Sequence, residues 1–152
     1  MSAAPDGVIV RAAIEEDLGA IHAIERESFG DPWSLEGFRD LLEHPRAKLE
    51  VAVKAGNELL GYAVAWYVAD ESEIANIAVA SHARRQGVGA LLLDRILRAA
   101  ATFGAKTVFL EVRESNTSAR KLYEARQFAV AGRRLKYYRQ PEEDALIMRR
   151  EL

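Results

Sequence analysis

The sequence predicts an α/β protein on a mixed sheet, α+β in its make-up, with elements in the order β-α-α-β-β-β-α-β-α-β-β. Three observations carry that prediction. Strand-like alternation at Leu49, Val51 and Val53 is followed by a long apolar run from Leu59 to Val68, with Gly56 and Asn57 as a turn between them. A helical stripe of Val88, Leu91, Leu92, Ile96, Ala99 and Phe103 sits between Gly87 and Gly104. Thr107 to Val112 then reads as a strand lying beyond a helical crossover, so it is expected to pair parallel in the sheet.

Gly7 to Arg11 opens the chain's order as a short strand. Ile14, Leu18, Ile21, Ile24 and Phe29 recur near helical spacing, with carboxylates in the first turn, and predict a helix. Ser34 caps a second helix through Leu42, stopped by His44 and Pro45. The strand around Leu49 to Val53 is read as half-buried, Leu59 to Val68 returns as its hairpin partner, and Glu73 to Val79 follows a turn at Ala69 to Ser72 as a third antiparallel strand. After the long helix, Gly104 occupies the place of a left-handed C-cap. Thr117 to Arg126 forms a short helix, and Phe128 to Arg134 and Ala145 to Arg149 close as strands. No repeat, low-complexity tract or composition break divides residues 1–152, so one domain is expected.

Composition narrows the function classes. A chain of 152 residues buries roughly 70% of the surface its unfolded form exposes, enough for a core. With 49% hydrophobic and 29% charged residues and a formal net charge of −2, it has no electrostatic footprint for nucleic acid or an anionic membrane. Cysteine is absent, which removes disulfides, thiolate metal sites and a thiol nucleophile; no metal is expected. The first residues place Asp6, Arg11, Glu15 and Glu16 where a signal peptide needs an apolar run, so a cytoplasmic protein is expected. Leu59 to Ala69, eleven residues free of Asp, Glu, Lys and Arg, is too short for a membrane span of ~20.

The stretch from Ile77 to Ala90, IAVASHARRQGVGA, runs from an apolar strand through a basic, glycine-punctuated turn into a helix. Gly87 and Gly89 allow a tight turn and close approach of a ligand to the backbone. The first helical turn offers N–H groups without intrahelical partners, and these join the helix dipole, Arg84 and Arg85 in favouring an anion. The bland alternative is a strand-to-helix turn solvated by arginines. No Gly-Lys-Ser/Thr follows and a third glycine is missing, which excludes the nucleoside-triphosphate loop and the dinucleotide fingerprint.

A second constellation lies between Thr107 and Phe128. Glu111 sits on a strand between apolar Leu110 and Val112, Asn116 precedes a helix, and Tyr123 lies two turns along it, so the three can converge on one cleft. Each has a structural alternative: Glu111 as an ion-pair member, Asn116 as an N-cap, and Tyr123 as a core aromatic.

Arg84-x-x-Gly87-x-Gly89 matches the R-x-x-G-x-G/A signature of the Gcn5-related N-acetyltransferases, and the element order resembles their fold over nearly the whole chain. LEVRESN at Leu110 to Asn116, LYE at Leu122 to Glu124, NIAV at Asn76 to Val79, PWS at Pro32 to Ser34 and EDALIM at Glu143 to Met148 are similar to the RimI-type ribosomal-protein-alanine N-acetyltransferases. The resemblance implies an acyltransferase that moves acetyl from acetyl-coenzyme A to the α-amine of a protein N-terminus, namely the N-terminal alanine of a small-subunit ribosomal protein, by direct attack in a ternary complex. It implies Glu111 as proton acceptor and Tyr123 as proton donor. Ile77, Ala78 and Val79 would line the acetyl and pantetheine arm, with the Val79 amide stabilising the oxyanion. Arg84, Arg85, Gln86, Gly87, Val88, Gly89 and Ala90 would hold the pyrophosphate, and Asn116 would touch the pantetheine region.

Two departures stand out. Gln127 replaces the family's usual glycine at a position that often takes positive φ, at about 1 kcal/mol of strain. Ser81 and His82 stand in place of the frequent Asp-Pro before the arginines, with His82 read as an exposed turn residue. Trp33, Tyr137 and Tyr138 suit gripping an extended peptide backbone, or serve as satellite core packing. A small-molecule or lysine N-acetyltransferase, and a silent acetyl-coenzyme A binding module, are the other function classes. Intact Glu111 and Tyr123 oppose the silent module, and acceptor segments with only Asp31 against Lys136 and Arg139 give no strongly acidic groove for a small polycation.

Overall fold

In the computed structural model, which describes residues 7–152, seven strands form one sheet in the order β1-β2-β3-β4-β5-β7-β6. The chain runs β1 (Ile9–Ala12), a 3-10 turn at Glu15–Asp17, α1 (Leu18–Ser28), α2 (Leu35–Glu43), β2 (Ala47–Lys54), β3 (Glu58–Val68) and β4 (Glu71–Val79). It continues through a 3-10 turn at Ser81–Ala83, α3 (Val88–Thr102), β5 (Thr107–Arg113), α4 (Thr117–Ala125), β6 (Ala129–Tyr138) and β7 (Glu143–Glu151). The β4–β5 pair is parallel and every other pair is antiparallel. No helix among the described residues is long and apolar enough to cross a membrane.

Local chemistry accounts for the element ends. Ser34 Oγ accepts the Gly37 N–H at 3.0 Å and caps α2. Gly104, at φ +87°, closes α3, with the Ala105 N–H donating to the Ala100 carbonyl at 3.0 Å. Gln127 takes φ +70°, the left-handed conformation that glycine would adopt without strain.

The sheet is covered on both faces over its first half. Tyr62 of β3 points to α1 and α2, where its ring meets Phe38 edge-on at 5.5 Å, and Gly61 points to Leu92 of α3. For this reason β2 and β3 are buried on both faces, where sequence alternation predicts a half-buried strand. The buried stripe of α3 is also rotated from the predicted one: Val88, Leu92 and Ile96 are buried as expected, but Leu93, Leu97 and Ala100 complete it instead of Leu91, Ala99 and Phe103. Phe103 is 56% exposed and stacks on Tyr67 at 4.6 Å, because it lies past the last turn and meets the sheet only at its margin.

One irregularity positions the site. The β3–β4 register jumps from Val64↔Asn76 to Ala65↔Ile74, so Ala75 is the extra residue of a bulge. Immediately after it the sheet splits. Pairing of β4 with β5 runs from Glu71↔Thr107 to Ile74↔Leu110 and stops, although β4 continues to Val79 and β5 to Arg113.

Candidate active site

The split leaves one edge of β4 without a strand partner. Ala80 N–H donates to the Leu60 carbonyl on the β3 side at 2.8 Å, and antiparallel alternation therefore turns the N–H groups of Ile77 and Val79 away from β3, into the gap. The Val79 carbonyl accepts Arg84 Nε at 3.2 Å, which folds Arg84 back onto the end of its own strand.

Beyond that end lies the glycine turn. Arg85 and Gly87 both adopt left-handed conformations, φ +64° and +82°, and Gly87 is the N-cap of α3. The first helical bond is Leu91 N–H to the Gly87 carbonyl at 3.0 Å, so the amides of Val88, Gly89 and Ala90 emerge from the helix end without intrahelical acceptors. A Cβ on Gly89 would meet Leu122 and Val79 at 3.5 and 3.7 Å, so α3 and α4 close up against the end of β4 here. Gln86 is exposed, its Nε2 donating to the His82 carbonyl at 3.4 Å, and His82 is an exposed turn residue 3.0 Å from Glu58.

Where β4 and β5 diverge there is a cleft of about 660 Å³. Ile77, Glu111, Asn116, Tyr123, Trp33, Tyr137 and Tyr138 all line it, whereas Ala78, Val79 and the turn from Arg84 to Ala90 lie beyond its wall along β4. Glu111 of β5 is 15% exposed, and its Oε2 lies 2.9 Å from Arg134 Nε of β6. Tyr123 is buried, packs edge-on against Phe128 at 5.9 Å, and has its phenol pushed up to about 12 by that burial.

Asn116 Oδ1 accepts the Ala119 N–H at 3.2 Å, so the residue caps α4 while bordering the cleft. Trp33 packs its ring on Phe38 at 5.5 Å, and Tyr137 and Tyr138 meet edge-on at 5.1 Å, with the Arg113 guanidinium 4.4 Å over Tyr138. Both tyrosines are raised above the ordinary phenol value by burial and then by the charge of Glu111.

Three cleft-side groups escape a reading of local pattern. Glu25 of α1 is 1% exposed and accepts Trp33 N–H at 2.8 Å, Asn76 Nδ2 at 2.9 Å and the Tyr62 hydroxyl, fastening the loop after α1 to β4. Its signal was a carboxylate on the apolar stripe of a helix, next to Ile24. Glu73 lines the cleft with its proton affinity raised, by burial first and then by Glu111. Because of the bulge, Glu73 and Asn76 face the same side, which simple alternation denies. Arg134 is placed by pairing across three strands and left no local signal.

The cleft is roofed. A Cβ on Gly30, in the loop after α1, would come within 2.8 Å of the Gln140 carbonyl in the β6–β7 turn, so the two loops touch above it.

Residues 18–128 match the acetyltransferase (GNAT) family. The chain belongs to that family. A Salmonella typhimurium ribosomal protein bS18-alanine N-acetyltransferase is 36% identical to this GNAT chain over 134 residues, 87% of it and 89% of the relative. The crystal structure of the Escherichia coli ribosomal-protein-alanine N-acetyltransferase superposes with a TM-score of 0.87 at 32% identity, covering 95% of this chain and 93% of that one. That of Ard1 from Thermoplasma volcanium gives 0.88 at 25% identity, covering 96% and 98%. The GNAT chain is thus an acetyltransferase of the family that uses acetyl-coenzyme A, on a mixed α/β fold shared with these structures.

Proposed function

We propose that the protein, working as one N-acetyltransferase domain, moves acetyl from acetyl-coenzyme A to the N-terminal alanine of a small-subunit ribosomal protein. Such an acceptor assigns the reaction to the cytoplasm. The observation that carries the reading is the roofed cleft: a passage closed by the contact of Gly30 with Gln140 suits the free end of a chain, which is slender and carries its amine at the tip. The relatives named as ribosomal-protein-alanine N-acetyltransferases favour the same acceptor.

The chain's residues fit acetyl-coenzyme A at two points. Three free amides after a left-handed Gly87, with Arg85 and Gln86 beside them, suit a pyrophosphate, and the unpaired edge at Ile77 and Val79 suits an extended amide-bearing arm. When bound, that molecule supplies an acyl group activated as a thioester.

An α-ammonium has a pKa of about 8, against about 10.4 for lysine, so a single carboxylate suffices to take its proton near neutrality. Glu111, in the cleft and 15% exposed, takes that proton. The Val79 N–H, turned into the gap, is the donor for negative charge that develops at the reacting carbonyl. Tyr123 gives the proton of its hydroxyl to the departing sulfur, and the second proton shed by the newly acylated nitrogen restores the phenol, whose raised pKa keeps it protonated between turnovers. Trp33, Tyr137 and Tyr138 line the acceptor's path.

The test compares acetylation of a peptide with a free N-terminal alanine and of the same peptide blocked at its terminus but carrying lysine. Labelling of the free α-amine is expected. Preferential labelling of the blocked peptide would overturn the N-terminal assignment.

A further inference from the structure

Glu73 and Glu111 put two carboxylates on one face of the split sheet. Glu73 pairs in register with Phe109 of the parallel strand β5, and Phe109 and Glu111 share a face, so both carboxylates look into the cleft. Glu111 has a cation beside it in Arg134, while the side-chain carboxylate of Glu73 makes no hydrogen bond or ion pair among the described residues. The groups around them are Arg113 on β5, Arg134, Tyr137 and Tyr138 on β6, and Glu25 on α1. On β3 Trp66 lies opposite Glu73, with His44 edge-on to its ring at 4.7 Å. Of these, Arg134 is the cation set against both carboxylates: it touches Glu111 and its charge opposes the rise in the proton affinity of Glu73.

Arg134 is nevertheless loosely held. Its Nε is 2.9 Å from Glu111 Oε2, but too obliquely for a hydrogen bond, so that buried oxygen has no donor among the described residues. The Arg134 side chain is 55% exposed, rests 5.8 Å over the Tyr137 ring, and precedes a register break between Arg134 and Tyr138. Its neighbour Arg133 shows what a fixed arginine looks like here: it donates to both oxygens of Glu114 at 2.6 and 2.9 Å and to Asp144 at 2.9 Å.

We propose that Arg134 is a placeholder for the acceptor's ammonium, holding its position between Glu73 and Glu111 until the acceptor displaces it. An ammonium carries three donors at one point, enough to give Glu111 Oε2 the hydrogen bond it lacks and Glu73 a partner at once. One proton then passes from nitrogen to Glu111 Oε2, leaving the nitrogen lone pair free to attack. Arg134 is in this account a positioning residue that selects for cationic acceptors, because only a cation replaces the charge it withdraws. The inference rests on the amine-acceptor reading above.

The test measures KM and kcat for the free N-terminal alanine peptide from pH 6 to 9 in the wild type, Arg134→Gln and Arg134→Lys. Removal of a competing, solvent-exposed cation is expected to lower the acceptor KM about 2- to 5-fold in Arg134→Gln, with Arg134→Lys between. The acid limb of kcat/KM should move to higher pH in Arg134→Gln, because Glu73 without the opposing guanidinium charge keeps its proton longer. A structural role alone would not improve KM. An unchanged or raised KM in Arg134→Gln overturns the placeholder while leaving the function standing; a wild type that acetylates no free N-terminus overturns the function itself.

Discussion

Alanine at Gly87 and alanine at Gly104 impose the same backbone strain at opposite ends of α3, and the pair separates stability from ligand binding. Both glycines are left-handed, φ +82° and +87°, and a Cβ on Gly104 meets nothing within 4 Å. An L-residue in that conformation costs about 1–2 kcal/mol. For a domain of this size, each kcal/mol lowers the melting temperature by about 2–4 °C. Both variants should therefore melt about 2–8 °C below the wild type. Only Gly87 precedes the free amides of Val88, Gly89 and Ala90. If strain at Gly87 moves that array enough to lose one hydrogen bond to a charged group, worth about 1.5–3 kcal/mol, affinity for coenzyme A falls about 10- to 100-fold. Calorimetric titration with coenzyme A should show weak binding for Gly87→Ala and wild-type binding for Gly104→Ala. Equal affinities in the two variants would refute the location of the phosphate site.

Three further substitutions have defined expected outcomes. Tyr123→Phe keeps the ring on Phe128 and removes only the hydroxyl, so kcat should fall about 100-fold or more while the melting temperature stays nearly unchanged, checked by steady-state rates beside a thermal melt. In the wild type the raised phenol contributes stability that is present below pH 10 and lost as pH climbs through about 12, so alkaline unfolding should be milder in Tyr123→Phe. Burial pushes Asp17 up, but the Arg11 guanidinium at 2.7 Å and the Ile14 N–H at 2.9 Å outweigh it and hold the carboxyl below 3.8. Asp17→Asn should cost about 1 kcal/mol at neutral pH, with the gap to wild type closing as pH falls below 4 through the lowered value, read by denaturant titration. Glu25→Gln swaps an acceptor of three donors for a group with one acceptor oxygen; it should cost about 1–3 kcal/mol and raise the peptide KM as the Trp33 loop loosens.

Much of the architecture was legible because its signals are local. Ser34, Gly87 and Gly104 mark helix ends by backbone chemistry, and the order of strands and helices follows from periodicity. The positive φ at Gln127 was legible from the family resemblance, whose pattern usually has a glycine at that place. What escaped depends on partners distant in sequence. The two-sided burial of β2 and β3 requires knowing that α1 with α2 covers one face and α3 the other, which alternation within a single strand cannot report. The stripe of α3 turned by part of a residue because the curved sheet, not the helix, chooses the contact line. In the cleft, Glu111, Asn116 and Tyr123 were found through their spacing in one segment, whereas Glu73 and Arg134 come together only through strand register and a bulge.

That bulge has a further consequence. An unpaired strand edge on the outside of a protein invites neighbouring chains to zip onto it, and natural sheets spend charge and proline to prevent this. Here the split beside Ala75 puts the raw edge in the middle of the sheet, with β5, β7 and β6 beyond it, and not on the sheet's outer margin. The molecule keeps the adhesive property of an edge for a thin guest without the hazard of fibre growth.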